Sequence, residues 1–570
     1  MMAKPTISMD KLKELAKNIK RITETPVQEA VKEVVNNPPV LKEEKPEAYQ
    51  LTDKYGNLIT YNDNQLRAIN YAKTGKDFVL IGAAGTGKTT CMKGVTLELI
   101  QSGKAGTLQA EGHKYLKDNT PGIVVCAYTR IAVRNIRKNM DASMQDNCIT
   151  IHKLLEYQPV YYEVEDPETG QSTTKMSFEP ARDEVNPLPR SIKIIVFEES
   201  SMLGLDLYKR LMRACRHEVQ FIFLGDIQQL PPVFGPAILG FKLLELPVVE
   251  LTEVYRQALE SPIIRLAHRI LSAKPIPKTE LPDWKIPGQL TIRPWQKKIS
   301  ADNAMLTIME FFKQAYDAGV YDNKQDMVLM TFNKAFGTIE LNNAIAGHIA
   351  KAGNHVVYQI IAGFNKHHFR IGERVLYDKE DAEIVDIQPN LSYTGTSYAP
   401  PSVHLDYWGF TNATSKSDIT SMLDNDTDPD DALDDILEQQ ASSDVEDRVK
   451  KASHIITLKM LDSDVDIKLD TASAINSLLL GYALTVHKAQ GSEWRKVFFV
   501  CHQSNNTMIQ REMLYTAVTR AREELYVVCE QDTFVNGIKS QRVRGNTIAE
   551  KAEFFKGKLT AGYSLDPFKD

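Results

Sequence analysis

The chain has 570 residues, 43% hydrophobic and 25% charged, the balance of an ordinary globular protein with roughly three to five structural units. Its net charge is −6, but twelve acids and one base between Asp418 and Val449 carry a local −11, which leaves the remainder mildly basic at +5. No apolar run approaches the ~18 residues of a membrane span or forms a signal-peptide core, and the six cysteines make no C-x-x-C pair, so we expect a cytoplasmic protein with reduced, buried thiols and no zinc site.

Residues 1–49 open on an amphipathic helical pattern from Met9 to Glu24 and continue into a Pro- and Glu-rich linker. This segment reads either as a solvated tail or as a helix for a protein partner. Ordered sequence begins near Tyr49, and Asn62 or Asp63 is placed to cap a helix carrying Gln65. A glutamine amide both donates and accepts, as the edge of adenine requires.

The stretch Gly82-Ala83-Ala84-Gly85-Thr86-Gly87-Lys88-Thr89 fits G-x-x-x-x-G-K-[ST]. It follows the apolar run Phe78-Val79-Leu80-Ile81 and precedes a helix-compatible segment, the context that the motif demands. We expect Gly85, Thr86, Gly87, Lys88, Thr89 and Thr90 to cradle the phosphates of ATP, with the Thr89 hydroxyl on Mg²⁺. A second apolar strand, Ile123 to Ala127, runs into Tyr128 and Thr129 and then a basic helix. Tyr128, Thr129 and His152 have the chemistry to hold a phosphate and stack a base at strand ends. Alternation on both sides of a Pro/Gly turn predicts a protruding β-hairpin between Tyr157 and Arg190, either a strand-separating wedge or an ornament.

The strand Ile192 to Phe197 ends in Glu198-Glu199, a carboxylate pair suited to supporting Mg²⁺ and orienting an attacking water. The strand Phe221 to Leu224 ends in Gly225-Asp226-Ile227-Gln228-Gln229-Leu230-Pro231-Pro232, where Gln229 is placed to sense a γ-phosphate. Tyr255-Arg256-Gln257 supplies an arginine finger. In the second half, Asp326 to Asn333 reads as a strand leading to a DNA-facing loop with Phe332. Short strands from Phe369 past Val403 to Leu458 read as a small β-barrel interrupted by the acidic stretch.

In this order, the P-loop, carboxylate pair, Gly-Asp-x-x-Gln-Leu-Pro-Pro, Tyr-Arg-Gln, Gly481-Tyr482-Ala483-Leu484-Thr485-Val486-His487-Lys488-Ala489-Gln490-Gly491 and Tyr515-Thr516-Ala517-Val518-Thr519-Arg520-Ala521 resemble the superfamily 1 DNA helicases. Within them the chain is similar to the RecD/Dda-like branch, superfamily 1B, which includes a bacteriophage helicase. The resemblance covers roughly residues 55–530. It implies that Gln65 reads adenine, Glu199 is the catalytic carboxylate, Glu198 supports the metal, and Gln229, Arg256 and Arg520 surround the γ-phosphate. It further places Glu493 at the ribose, and Thr129, His152, His487 and Lys488 on single-stranded DNA. Where the family usually has Asp-Glu, this chain has Glu198-Glu199.

The expected architecture is α/β, two RecA-like P-loop domains with ATP between them. Residues 1–49 are the helix and linker. Residues 50–258 form the first motor domain, with a hairpin insert at 157–190. Residues 259–570 form the second, with a barrel insert at 346–476 that contains the acidic stretch 418–449. The expected function is that of a monomeric ATP-dependent helicase, 5′ to 3′ by the branch's habit, acting on single-stranded and tailed duplex DNA. A protein partner would meet the acidic insert or the N-terminal helix, and no membrane is involved. Two rivals stand beside this: a translocase that strips proteins from single strands, and an ATP-gated DNA-binding scaffold with slow hydrolysis.

Overall fold

The computed structural model describes residues 51–52, 58–104, 106, 122–140, 142–165, 172–232, 235–254, 260–273, 285–286, 290–295, 301–331, 337–377, 380–395, 400–403, 450–461, 466–502 and 508–568. The chain divides into Met1–Thr60 and Tyr61–Asp570. In the first unit, Leu51–Thr52 pairs antiparallel with Leu58–Ile59. The expected N-terminal helix and linker, the acidic stretch 418–449, Arg256 and Phe332 lie outside the described residues.

Short apolar runs alternate with amphipathic helices through the first domain, the pattern of βαβ units that bury both faces of a parallel sheet. In chain order these are α1 (Asp63–Ala72), β1 (Phe78–Gly82), α2 (Lys88–Gln101), β2 (Gly122–Ala127), α3 (Arg130–Asn139) and β3 (Cys148–Thr150). A hairpin of β4 (Tyr157–Glu165) and β5 (Ser172–Pro180) follows, its nine pairs running from Tyr157↔Pro180 to Glu165↔Ser172. Then come β6 (Ile192–Phe197), α4 (Leu205–Ala214), β7 (Gln220–Gly225), α5 (Ile238–Glu245) and β8 (Val248–Leu251). The sheet has the order β8-β1-β7-β6-β2-β3, every pair parallel. Parallel pairing sets all six carboxyl ends along one edge, so each motif that follows a strand reaches the same side of the domain.

Helix α6 (Pro262–Leu271) leaves the first domain and packs Ile263, Leu266, Ala267 and Ile270 into the core of the second. That domain is built on β9 (Lys285–Ile286), β10 (Leu290–Trp295), α7 (Ala301–Asp317), β11 (Met327–Met330) and α8 (Thr338–Ala352). Next are β12 (Val357–Ala362), β13 (Asn365–Arg370), β14 (Arg374–Tyr377), β15 (Glu380–Pro389), β16 (Lys451–Met460) and β17 (Asp466–Thr471). They are followed by β18 (Leu479–Leu480), β19 (Ala483–Thr485), β20 (Trp494–Cys501), α9 (Arg511–Val518), β21 (Ala521–Glu530), α10 (Gln531–Lys539) and α11 (Ile548–Thr560). The main sheet runs β9-β10-β21-β20-β11-β19, parallel except at β9. Two parallel α/β sheets in tandem are the expected RecA-like pair.

The insert differs in detail from the expected barrel. It begins at Val357, after α8 has run its full length to Ala352, rather than inside that helix at 346. Its described strands form an open antiparallel sheet, β17-β16-β15-β14-β18, and a separate hairpin β12-β13. A buried charged network ties it to the domain beneath. Arg374 pairs with Asp381 through Nε and Nη2, both at 3.2 Å, and donates to the Asp326 carbonyl at 2.7 Å, while Arg495 grips the Asp326 carboxylate.

The last helix also departs from expectation. Although it follows the second domain in sequence, α11 packs on α5 of the first. Phe555, 1% exposed, meets Phe241 edge to face at 5.4 Å and lies over Gly240. Arg213 of α4 donates to the Pro567 carbonyl at 2.6 Å. An amphipathic period announces an apolar stripe but not which surface it covers.

Candidate nucleotide site and nucleic-acid interface

The P-loop leaves β1 and enters α2 through two glycines with left-handed backbones, Gly85 at φ 81° and Gly87 at φ 80°. A side chain at either position would strain that path. Gly87 is the N-cap of α2, so the turn aims the helix's first N–H groups at the loop's interior. Thr86 closes the turn by donating to the Ala83 carbonyl at 2.8 Å, and Lys88 Nζ donates to the Gly82 and Ala83 carbonyls at 2.7 and 3.3 Å. Thr89 and Thr90, half-buried, begin the first turn of α2.

Gln65 is fully buried and works as the N3 residue of a capping box with Asn62, its Nε2 also donating to the Gly87 carbonyl at 3.2 Å. The expected adenine reader thus already grips the P-loop.

Glu198 continues β6, its N–H donating to the Cys126 carbonyl at 2.8 Å, while Glu199 turns into a left-handed conformation at φ 52°. Burial, then the neighbouring Glu199 charge, push the Glu198 carboxyl up to about 8 against the opposing pull of Lys88. Glu198 Oε2 and Glu199 Oε2 are both buried with no hydrogen-bond partner among the described residues. Two crowded carboxylate oxygens, unsatisfied among the described residues and within the field of the P-loop Lys88, are donors that fit a hard divalent cation.

The turn after β7 completes the surroundings. Asp226, 1% exposed, accepts the Gln228 N–H at 2.9 Å and the Tyr515 hydroxyl at 2.6 Å. Gln229 is buried, and its Oε1 has no partner among the described residues. Arg520 is folded onto its own domain, donating to the Thr516 and Ser492 carbonyls at 3.1 Å each and to Thr519 Oγ1 at 3.2 Å. Glu493 is exposed between Ser492 and Trp494, the latter's N–H bonded to the Arg520 carbonyl at 2.9 Å.

The strand ends away from the P-loop carry the other expected group. Tyr128, 40% exposed, stands edge-on to His152 at 5.5 Å, and His152 stands edge-on to Tyr157 at 4.9 Å. The ladder joins the end of β2 to the root of the hairpin. Thr129 caps α3 through its hydroxyl, accepting the Ala132 N–H at 3.1 Å, and lies beside Gly491, whose carbonyl accepts Asn135 Nδ2 at 2.6 Å. Lys488 is half-buried and its N–H is held by Thr485 Oγ1 at 3.2 Å, while His487 is buried next to it.

Several contacts escaped sequence reasoning. Tyr515 and Thr516 stand inside a quoted motif yet had no assigned role, and His268 on α6 belongs to no motif. Tyr515 accepts the Ala84 N–H at 2.7 Å, His268 Nε2 bonds the Ala84 carbonyl at 3.2 Å, and Thr516 Oγ1 accepts the Leu230 N–H at 3.0 Å. Gln490 Nε2 donates to the Leu230 carbonyl at 2.8 Å. The spacing of Tyr515 from Arg520 across the end of one helix was the available signal.

A P-loop sheet whose nucleotide edge is finished by side chains of a second parallel sheet defines a tandem RecA-like nucleotide-binding protein. Comparison with known proteins agrees. Residues 65–235 match the family described as AAA domain, and residues 480–528 match the UvrD-like helicase C-terminal domain. The chain is 26% identical over 473 residues to the ATP-dependent RecD2 DNA helicase of Deinococcus radiodurans, covering 82% of this chain and 49% of that protein. It is 30% identical over 183 residues to the RecBCD enzyme subunit RecD of Mycobacterium tuberculosis, covering 31% of this chain and 28% of the relative. A solved Pif1 helicase at forked duplex DNA superposes with a TM-score of 0.44 at 16% identity, covering 88% of this chain and 98% of the other. The chain spans about half the length of the first of these relatives, or less. The matched segments and the RecD2 relative together support a superfamily 1 helicase of the RecD-like 1B branch.

Proposed function

We propose that this protein hydrolyses ATP to translocate along single-stranded DNA, 5′ to 3′ as its branch implies, and unwinds the duplex it meets. The observation that carries this reading is the pair of backbone grips across the domains. Side chains of the second domain hold Ala84 in the P-loop and Leu230 beside Gln229, so relative movement of the domains and the state of the nucleotide site must change together.

In this reading Lys88 and the first turn of α2 hold the phosphates, and Gln65 meets the base while bracing the loop. Thr89 and Glu198 would hold Mg²⁺, which would supply charge neutralisation at the transferred phosphate. Glu199 orients the attacking water. Arg520, and Arg256 from the other domain, would turn to the γ-phosphate as the cleft closes, which for Arg520 means exchanging its three present acceptors for phosphate oxygens. Glu493 meets the ribose at the rim.

Single-stranded DNA would cross the carboxyl ends of the strands, against Tyr128, Thr129 and His152 on one domain and Phe332, His487 and Lys488 on the other. The hairpin beside His152 stands where a duplex would arrive. The test is ATP hydrolysis by the full chain with and without single-stranded DNA, followed by unwinding of duplexes with 5′ or 3′ tails. DNA-stimulated turnover with unwinding from 5′ tails supports the reading. Stimulated turnover without unwinding leaves a translocase, and turnover that DNA does not change leaves an ATP-gated binding protein.

A further inference from the structure

Ala84 is gripped from the second domain at both of its backbone polar groups. Its N–H donates to Tyr515 on α9, and its carbonyl is bonded by His268 on α6. The Tyr515 hydroxyl in turn donates to Asp226, whose other oxygen holds the N–H of Gln228, next to Gln229. One phenol therefore stands between the P-loop and the turn that carries Gln229. It is fully buried, and burial together with Asp226 pushes its pKa well above the ordinary phenol value, so it is a fixed donor toward the carboxylate.

Neither α6 nor α9 belongs to the sheet that carries the P-loop. Both are packed into the second domain's core, α6 through Leu266 and Ile270 and α9 through Met513 and Leu514. Closure or rotation of that domain must either drag the Ala84 peptide or break two partly buried hydrogen bonds. An N–H withdrawn from water and left unpaired is costly, so the peptide follows.

We infer that Tyr515 and His268 are positioning residues which set the shape of the P-loop according to the placement of the second domain, and so carry the DNA-bound state to the nucleotide. They act through Ala84 and Asp226 and need not touch ATP. The inference rests on the proposed motor function only in its second half, because the grip itself is testable without nucleotide.

The experiment uses the full chain and two readouts. In the first, amide hydrogen exchange of the P-loop peptide is followed without nucleotide in wild type, Tyr515→Phe, His268→Ala and His268→Gln. In the second, kcat and KM for ATP are measured with a single-stranded oligonucleotide. Tyr515→Phe keeps the ring, removes the hydroxyl and should speed exchange at the P-loop. It should lower the DNA-stimulated kcat by about tenfold, the scale of one hydrogen bond to a charged group, with KM moving less than about twofold. His268→Ala should act likewise, and His268→Gln, which restores an N–H donor, should recover much of the loss.

Unchanged exchange in Tyr515→Phe and His268→Ala would overturn the grip. Faster exchange with wild-type kcat would reduce both residues to interface packing, and a raised KM at constant kcat would make them ground-state determinants; either overturns the inference. If Tyr515→Phe does not fold, the His268 pair decides alone. If wild type shows no DNA-stimulated hydrolysis, the proposed function fails while the exchange arm still judges the grip.

Discussion

Glu198 and Glu199 are adjacent in sequence yet leave β6 along different paths, Glu198 with its N–H on the Cys126 carbonyl and Glu199 turned to φ 52° and ψ 41°. Each has one buried oxygen with no partner among the described residues. In the proposed function this change of path would separate their tasks, with Glu198 serving the metal and Glu199 the attacking water. Glu has one more methylene than Asp, and Mg²⁺ keeps waters readily, so Glu198 should act through a metal-bound water. Glu199→Gln should lower turnover by about a hundredfold or more while fluorescent ATP still binds, as expected for loss of a general base. Glu198→Asp should stay active. A dead Glu198→Asp with an active Glu199→Gln would shift the assignment by one residue.

Among the described residues Lys88 Nζ hydrogen-bonds the two P-loop carbonyls, at 2.7 and 3.3 Å, and lies in none of the hydrophobic core clusters. Lys88→Ala should therefore abolish DNA-stimulated hydrolysis and leave the melting temperature within about 3 °C of wild type, the shift that less than about 1 kcal/mol gives a domain of this size. Turnover at the wild-type rate would remove this lysine from the site.

Arg520→Ala should lower kcat far more than the affinity for ATP, since the guanidinium now spends its hydrogen bonds on Thr516, Ser492 and Thr519 and would meet phosphate only on closure. Arg520→Lys should not rescue, because one ammonium cannot replace the planar fork. An effect confined to KM would make Arg520 a ground-state ligand. The same measurement on Arg256→Ala assigns the second finger.

The nine-pair hairpin is rooted at Tyr157, which packs on His152 at 4.9 Å. Replacing 161–178 by a short Gly-containing turn keeps that root and removes the projection. Unwinding of a tailed duplex should fall while hydrolysis stimulated by a single strand persists, giving a motor without its wedge. Intact unwinding would show that strands part elsewhere.

Most of what the sequence disclosed lies at strand ends. A run such as Phe78 to Ile81 is apolar because both sheet faces are covered, and parallel pairing then carries Lys88, Tyr128, Glu199 and Gln229 to one edge without further information. Side-chain grips across the two sheets were not legible. Nothing in the amphipathic period of α6 distinguishes His268 from any other half-buried helical residue, and only the packing of that helix brings it to Ala84. The partner of α11 was hidden for the same reason: periodicity shows an apolar stripe from Ile548 onward, whereas the surface that receives it is made by Gly240 and Phe241, far earlier in the chain.

That last contact yields a prediction whose sign depends on the background. A Cβ on Gly240 would lie 2.2 Å from two atoms of the Phe555 ring, closer than non-bonded carbons approach, and the ring is 1% exposed with Phe241 edge-on at 5.4 Å. Gly240 also sits inside α5, where Ala is normally better than Gly by about 0.8–1 kcal/mol. Overpacking costs about 1–3 kcal/mol, so in the wild-type background the clash outweighs the helical gain and Gly240→Ala should lower the melting temperature. Phe555→Ala alone removes a buried ring and should cost about 3–5 kcal/mol, seen first as faster proteolysis of the C-terminal helix. In that variant the space over Gly240 is open, and adding Gly240→Ala should raise stability by up to about 1 kcal/mol, reversing its effect. Calorimetry on the four proteins measures the cycle. Equal destabilisation by Gly240→Ala with and without Phe555 would show that the ring is not what the glycine accommodates, and α11 would not be seated on α5 as described.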